Sequence, residues 1–136
     1  MKIDKITLEI LKNHSRAAAE GMAYTLYRTA HPTFVKETED FTCGITTPDG
    51  ETFASPVELG VTWFVGLNYK TVIEMIDEYE EGDICITNDP YSGHVSTHSP
   101  DMHCWKPVFF GGELVSFVVG HIHNTDVGGA VPASMS

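Results

Sequence analysis

Apolar residues recur with helical spacing through the N-terminal stretch. Ile6, Ile10, Ala17 and Tyr24, joined by Leu11, Ala18, Met22 and Leu26, keep a period near 3.6. Asp4 supplies an N-cap and Pro32 ends the pattern, so a helix is predicted from Asp4 to about Thr29. His14 and Arg16 fall on its polar side, and the helix reads as a packing element without chemistry of its own. From Phe41 the period changes to two: Phe41 to Thr46 alternates as a strand, Thr47-Pro48-Asp49-Gly50 signals a turn, and Glu51 to Ala54 returns as the second strand of a hairpin. Val57 to Gly66 shows no clear period. Leu67 to Tyr79 returns to helical spacing, with Val72, Ile73, Ile76 and Tyr79 on one side and Glu74, Asp77 and Glu78 on the other. Ile84 to Thr87 has the length of a buried strand, and Met102 to Phe110 and Glu113 to His123 form a second hairpin around Gly111-Gly112. The expected fold class is α+β, with an N-terminal helix, β-hairpins and a second helix around a mixed or antiparallel sheet, in a single domain over residues 1–136.

Composition narrows the classes of function. With 136 residues, 42% of them hydrophobic, the chain can bury a core. Eight Lys and Arg stand against 19 Asp and Glu, for a net charge of -11. No basic residue follows Lys106, so a nucleic-acid partner is disfavoured, because phosphate binding needs clustered Lys and Arg. Cys43, Cys85 and Cys104 are odd in number, far apart and set in apolar segments. They read as buried thiols of a reduced, cytoplasmic protein rather than a disulfide framework. The N-terminus lacks an apolar signal region, and no apolar run approaches the ~18 residues that would span a membrane.

The chemistry is concentrated between Asn88 and Gly129, which holds five of the seven histidines. His98-X-X-Asp101 offers two metal ligands within one tight segment, stiffened by Pro100 and flanked by the hydroxyls of Thr97 and Ser99. The β-prone run Val115 to Val119 ends in His121-Ile122-His123, where alternation puts both imidazoles on one face, and one or both can complete a site. His103 lies between these groups, Asp126 follows in a turn, and Asp40 sits at the mouth of the first strand, where ligands are presented from a rigid scaffold. Mixed His and Asp ligation suits a divalent manganese, iron or zinc ion. Neither a P-loop nor a G-X-G-X-X-G pattern is present, so ATP binding by this chain itself is not expected. Ser96 and Cys104 lie near histidines without a nucleophile elbow, and Cys104 reads as core.

The hairpin carries a geometric condition. A regular two-residue turn pairs Phe110 with Glu113 and Met102 with His121, which points Asp101 away from His121 and His123. A shared metal then needs a one-residue correction, either a three-residue loop or a β-bulge near Cys104 or Gly120. Otherwise Asp101 and His123 must lie beyond the strand ends.

Several segments, taken in order, resemble one family. Lys5-Ile6-Thr7-Leu8-Glu9-Ile10, Glu39-Asp40-Phe41-Thr42-Cys43, Gly82-Asp83-Ile84 through Asn88-Asp89-Pro90-Tyr91, Thr97-His98-Ser99-Pro100-Asp101 and His123 through Gly129 together resemble the hydantoinase B/oxoprolinase family along essentially the whole chain. That family includes B subunits of ATP-dependent hydantoinases, oxoprolinase regions, caprolactamase, and subunits of acetone and acetophenone carboxylases. The resemblance implies metal ligands at Asp40, His98, Asp101 and His123, with His121, His103 and Asp126 as supporting or alternate groups. It implies a hydantoinase A-like partner that binds ATP, the remainder of a B-type subunit, and a small cyclic amide or ketone as substrate. The expected function is the metal-containing portion of an ATP-dependent cyclic-amide hydrolase. The alternatives are the corresponding portion of a ketone carboxylase, or a short non-catalytic assembly subunit. One departure stands out: Ser92 to His98 is longer than the family's usual N-D-P-Y-X-G-G-T-H and lacks its double glycine.

Overall fold

The computed structural model describes residues 3–61, 66–92 and 94–134. It is an α+β fold in which helices α1 (Lys5–Thr29), α2 (Thr33–Glu37) and α3 (Lys70–Ile73) surround one five-stranded sheet. The strands are β1 (Phe41–Thr46), β2 (Thr52–Ala54), β3 (Cys85–Thr87), β4 (Asp101–Phe110) and β5 (Glu113–His123). Their order is β2-β1-β5-β4-β3, and every neighbouring pair is antiparallel. Among the described residues no helix is long and apolar enough to cross a membrane.

Helix α1 begins where the sequence places it, with the Asp4 carboxylate accepting the N–H groups of Ile6 and Thr7, each at 3.0 Å. Its packing is narrower than its apolar pattern. Only Ala19 and Ala23 are buried, small residues that let the helix approach Phe41 and Cys43 closely, while Ile6 remains 75% exposed and Ile10 and Leu11 about half exposed. Pro32 ends this helix and also opens α2, a turn of helix that the charged composition after Pro32 does not reveal. Proline's φ of -58° is already helical there, and Val35 anchors the turn in the core.

The second predicted helix is much shorter than its pattern. Val72 and Ile73 are buried and Ile76 and Tyr79 pack beside them as expected, but α3 stops after Ile73. Bonds from Met75 N–H to Val72 and from Ile76 N–H to Ile73 tighten the chain to i→i+3 spacing. The Tyr79 hydroxyl donates to the Ile73 carbonyl at 2.9 Å, occupying the acceptor that a continuing α-helix would offer to Asp77.

The sheet has two unlike faces. One, with Phe41, Cys43 and Ile122, is covered near β1 by α1 and α2. The other carries Trp105, Phe117 and Val119, packed under Tyr69, Val72, Ile73 and Val95. The strand at Ile84 to Thr87 forms, but as the sheet's edge rather than a buried element, and Ile84 and Ile86 are largely exposed. Of the three thiols, all free, only Cys43 is buried; Cys85 is half-buried, and Cys104, expected in the core, is exposed in an open groove that Met22 and Leu26 of α1 also line. In the segment without a clear period, Val61 is buried and bonds to the Phe41 carbonyl, while residues 62–65 lie outside the described residues.

Candidate metal centre

The hairpin makes the one-residue correction that a shared site requires. Phe110 pairs with Glu113 and Phe109 with Leu114, but Val108 pairs with Ser116, so Val115 is the extra residue of a bulge. The bulge lies close to the turn, not near Cys104 or Gly120. Beyond it His103 stands opposite His121, and Asp101 opposite His123. All four side chains therefore share the face that also carries Trp105 and Phe117, at the open end of the hairpin.

Three of the expected ligands converge. Donor atoms of His98, Asp101 and His123 all lie within 4.8 Å of one another. Nε2 of His98 is 3.0 Å from Oδ1 of Asp101, and the rings of His98 and His123 meet edge to face at 4.9 Å. His98 is the solvent-facing member, whereas Asp101 and His123 are buried. Asp40 adjoins the group through His121, whose Nε2 is 3.8 Å from Asp40 Oδ1 and 3.6 Å from Asp101 Oδ1. His103 lies one layer deeper, its ring stacked on that of His121 at 5.0 Å. Asp126 is exposed and its carboxylate accepts the Gly128 N–H in a local turn, so it does not join the cluster.

Each candidate ligand is held by an identifiable support. The His98–Asp101 segment is a turn closed by the Asp101 N–H bonding to the His98 carbonyl, and Ser96 Oγ donates to the carbonyls of both residues. Thr97 Oγ1 donates to Asp101 Oδ2 at 2.6 Å, as its position suggested, leaving Oδ1 facing the imidazoles. Ser99 contributes its carbonyl rather than its hydroxyl, accepting from Asn88, and Asn124 clasps the Pro100 carbonyl through both its backbone and side-chain N–H groups. Asn88 and Asn124 were invisible as supports because their partners are backbone carbonyls of another segment, and Ser96 because its partners, though local, are backbone carbonyls without a spacing signature.

Asp40 is presented by a strained residue. Glu39 has a left-handed φ of 55°, uncommon for a side chain of this kind, and its carboxylate is anchored on the Gly60 N–H at 3.1 Å. Gly60 itself has a φ of 94°, and a Cβ there would meet the Phe41 carbonyl at 2.6 Å, so only glycine fits against the strand entry. The Asp40 carbonyl accepts the His123 N–H at 3.0 Å, which ties the entry of the first strand to the end of the last. Phe34 of α2 packs its ring 4.5 Å from His123.

The local charges suit a cation. Burial alone would push the Asp101 carboxyl up, but the hydrogen bonds of His121 and Thr97 and the charges of His121 and His98 outweigh it and hold the group below the ordinary carboxylate range. Burial, reinforced by His121, depresses His103 to about 4, so its ring is neutral at ordinary pH. His123 is buried with Nδ1 lacking a hydrogen-bond partner among the described residues, a costly state unless another group takes the lone pair or proton. An ionised carboxylate among imidazoles, one of them with an unsatisfied nitrogen, fits a divalent ion of borderline softness.

The hydantoinase B/oxoprolinase family model matches residues 4–136, nearly the whole chain. The chain belongs to this family. Among relatives in the family, 5-oxoprolinase 1 of Arabidopsis thaliana is 36% identical over 136 residues, covering 97% of this chain and 10% of its own length. The ATP-dependent caprolactamase of Pseudomonas jessenii has a similar structure, with a TM-score of 0.76 at 29% identity over 98% of this chain and 23% of its own. An acetone carboxylase shares the fold, with a TM-score of 0.79 at 22% identity over 93% of this chain and 17% of its own. The chain spans between 10% and 24% of the length of the curated relatives it matches.

Proposed function

We propose that this chain is the metal-bearing portion of the B-type subunit of an ATP-dependent cyclic-amide hydrolase of the hydantoinase/oxoprolinase type. The observation that carries this reading is the convergence of His98, Asp101 and His123 within 4.8 Å, with Asp40 joined to them through His121. His98, Asp101, His123 and Asp40 would hold a divalent manganese, iron or zinc ion. When bound, such an ion acts as a Lewis acid on a carbonyl or a water molecule.

The chain's own residues supply the remaining features. Asp101 offers Oδ1 because Thr97 occupies Oδ2, and His123 is fixed by its N–H bond to Asp40 and by Phe34. His98 opens to solvent, so a substrate carbonyl approaches from its side. Neutral His103 adds no positive charge behind the centre. Nucleotide chemistry falls to a hydantoinase A-like partner, since this sequence lacks the glycine-rich phosphate cradles. The remainder of a B-type subunit completes the assembly, and three free thiols suit a reducing cytoplasm.

The test joins metal analysis to an activity screen. Protein prepared without chelator should carry a near-stoichiometric divalent ion that His98→Ala removes. In the presence of the A-type partner, the rest of the B-type polypeptide and ATP, it should hydrolyse cyclic amides rather than carboxylate ketones with bicarbonate. Absence of metal defeats the site, and ketone carboxylation would move the protein to the carboxylase branch.

A further inference from the structure

We propose that Tyr69 is a positioning residue of this centre, acting through His103 on His121. The inference rests on the metal-site reading above and adds to it a support that no ligand pattern reveals. Tyr69, His103 and His121 are all essentially buried, and they follow one another from the hydrophobic core to the cluster. The Tyr69 hydroxyl lies 3.1 Å from Nδ1 of His103. His103 stands directly across the β4–β5 ladder from His121, with their rings stacked at 5.0 Å and 25°. His121 then places Nε2 within 4 Å of both Asp101 and Asp40.

Either group can donate in this bond, the phenol O–H to a bare Nδ1 or an Nδ1–H to the phenol oxygen, and in both cases it fixes the orientation of the His103 ring. Tyr69 is itself rigid. Its N–H bonds to the Gly50 carbonyl at 2.9 Å, and its ring packs in the cluster of Val72, Trp105 and Phe117. Gly50, with a φ of 89°, has no room for a Cβ, which would lie 2.3 Å from the Lys70 nitrogen. A phenylalanine at 69 would fill the same core without placing a hydroxyl in it. A buried hydroxyl facing a buried imidazole is worth its desolvation where orientation matters. With one edge of His103 pinned and its face laid on His121, the latter ring cannot turn away from the two carboxylates. Groups that hold the side chains around a metal centre are commonly worth about 10- to 100-fold in its affinity.

The experiment titrates Co(II) into the full 136-residue chain, follows the visible absorption of the bound ion, and compares wild type with Tyr69→Phe. Thermal unfolding checks that the variant is folded. We expect Tyr69→Phe to bind Co(II) about 10- to 100-fold more weakly and with a shifted spectrum. A folded variant with unchanged affinity and spectrum overturns the role of Tyr69 while leaving the ligand assignment standing. Wild-type protein that takes up no Co(II) overturns the ligand assignment and this inference with it. Nitrogen-15 ring spectra give a second reading: the His103 Nδ1 signal should shift in Tyr69→Phe relative to wild type, and an unchanged signal would overturn the proposal.

Discussion

Asp101 and His123 are paired directly across the β4–β5 ladder, one register step away from where an unbroken two-residue hairpin would put them. The step is supplied by Val115, the residue left over between Leu114 and Ser116. Because side chains alternate with a period of two, this single extra residue decides whether carboxylate and imidazole share a face.

The register can be trapped chemically. With Cys104→Ser as background, Met102→Cys paired with Ile122→Cys should close a disulfide on mild oxidation, because these residues face one another. Met102→Cys with His121→Cys should not. Mass spectrometry of the oxidised proteins distinguishes the two, and cross-linking of the second pair alone would refute the bulged register.

The two aspartates at either side of His123 should differ sharply. Asp101→Asn removes a buried negative charge from the cluster, whereas Asp126→Asn alters an exposed turn in which an amide can still accept the Gly128 N–H. Metal affinity should fall at least about tenfold in the first variant and remain within about twofold in the second. Equal losses by calorimetric titration would remove Asp101 from the ligand set.

Glu39 tests how Asp40 is presented. Glu39→Ala keeps the left-handed backbone but loses the bond to Gly60, and should lower the unfolding free energy by about 1–2 kcal/mol. Glu39→Gly loses the same bond but relieves the strain at a φ of 55°, so it should cost less. Urea denaturation would contradict the strain account if glycine proved the more damaging substitution.

Cys43 gives an alkaline signature. Burial, with a contribution from Glu20, pushes its thiol up from 9.0 to about 12. The unfolded chain therefore loses this proton first, and the stability the thiol contributes is present below about pH 9 and lost as pH rises towards 12. Each pH unit in that window costs at most about 1.4 kcal/mol. Cys43→Ala should flatten the alkaline slope of urea-unfolding free energies, and in the native protein at pH 8 a maleimide should label exposed Cys104 well before Cys43.

How much of this was legible depends on the range of each interaction. The α1 cap, both hairpins and the grouping of His98 with Asp101 are local, and composition with spacing reveals them. The early end of α3 is not local, because it depends on Tyr79 reaching back to the Ile73 carbonyl. The edge position of β3 likewise depends on which strands pair, which its short apolar run does not encode. At the centre, alternation placed His121 and His123 together, and the need for a register correction was visible although its location was not. Tyr69, Asn88 and Asn124 stayed hidden because each acts on a residue from a distant segment, and tyrosine or asparagine in such surroundings has no spacing signature.

The Gly111-Gly112 turn offers a practical handle. Both glycines have positive φ, at 60° and 84°, and a Cβ at either position would meet no other atom within 4 Å. Asp101 is the first of the ten residues of β4, whose other end adjoins the turn about 33 Å away at strand rise. A fluorophore or affinity tag inserted there would sit at the far end of the same rigid ladder that ends in the candidate ligands. It would report on the hairpin as a body and immobilise the protein with the His98 side left clear.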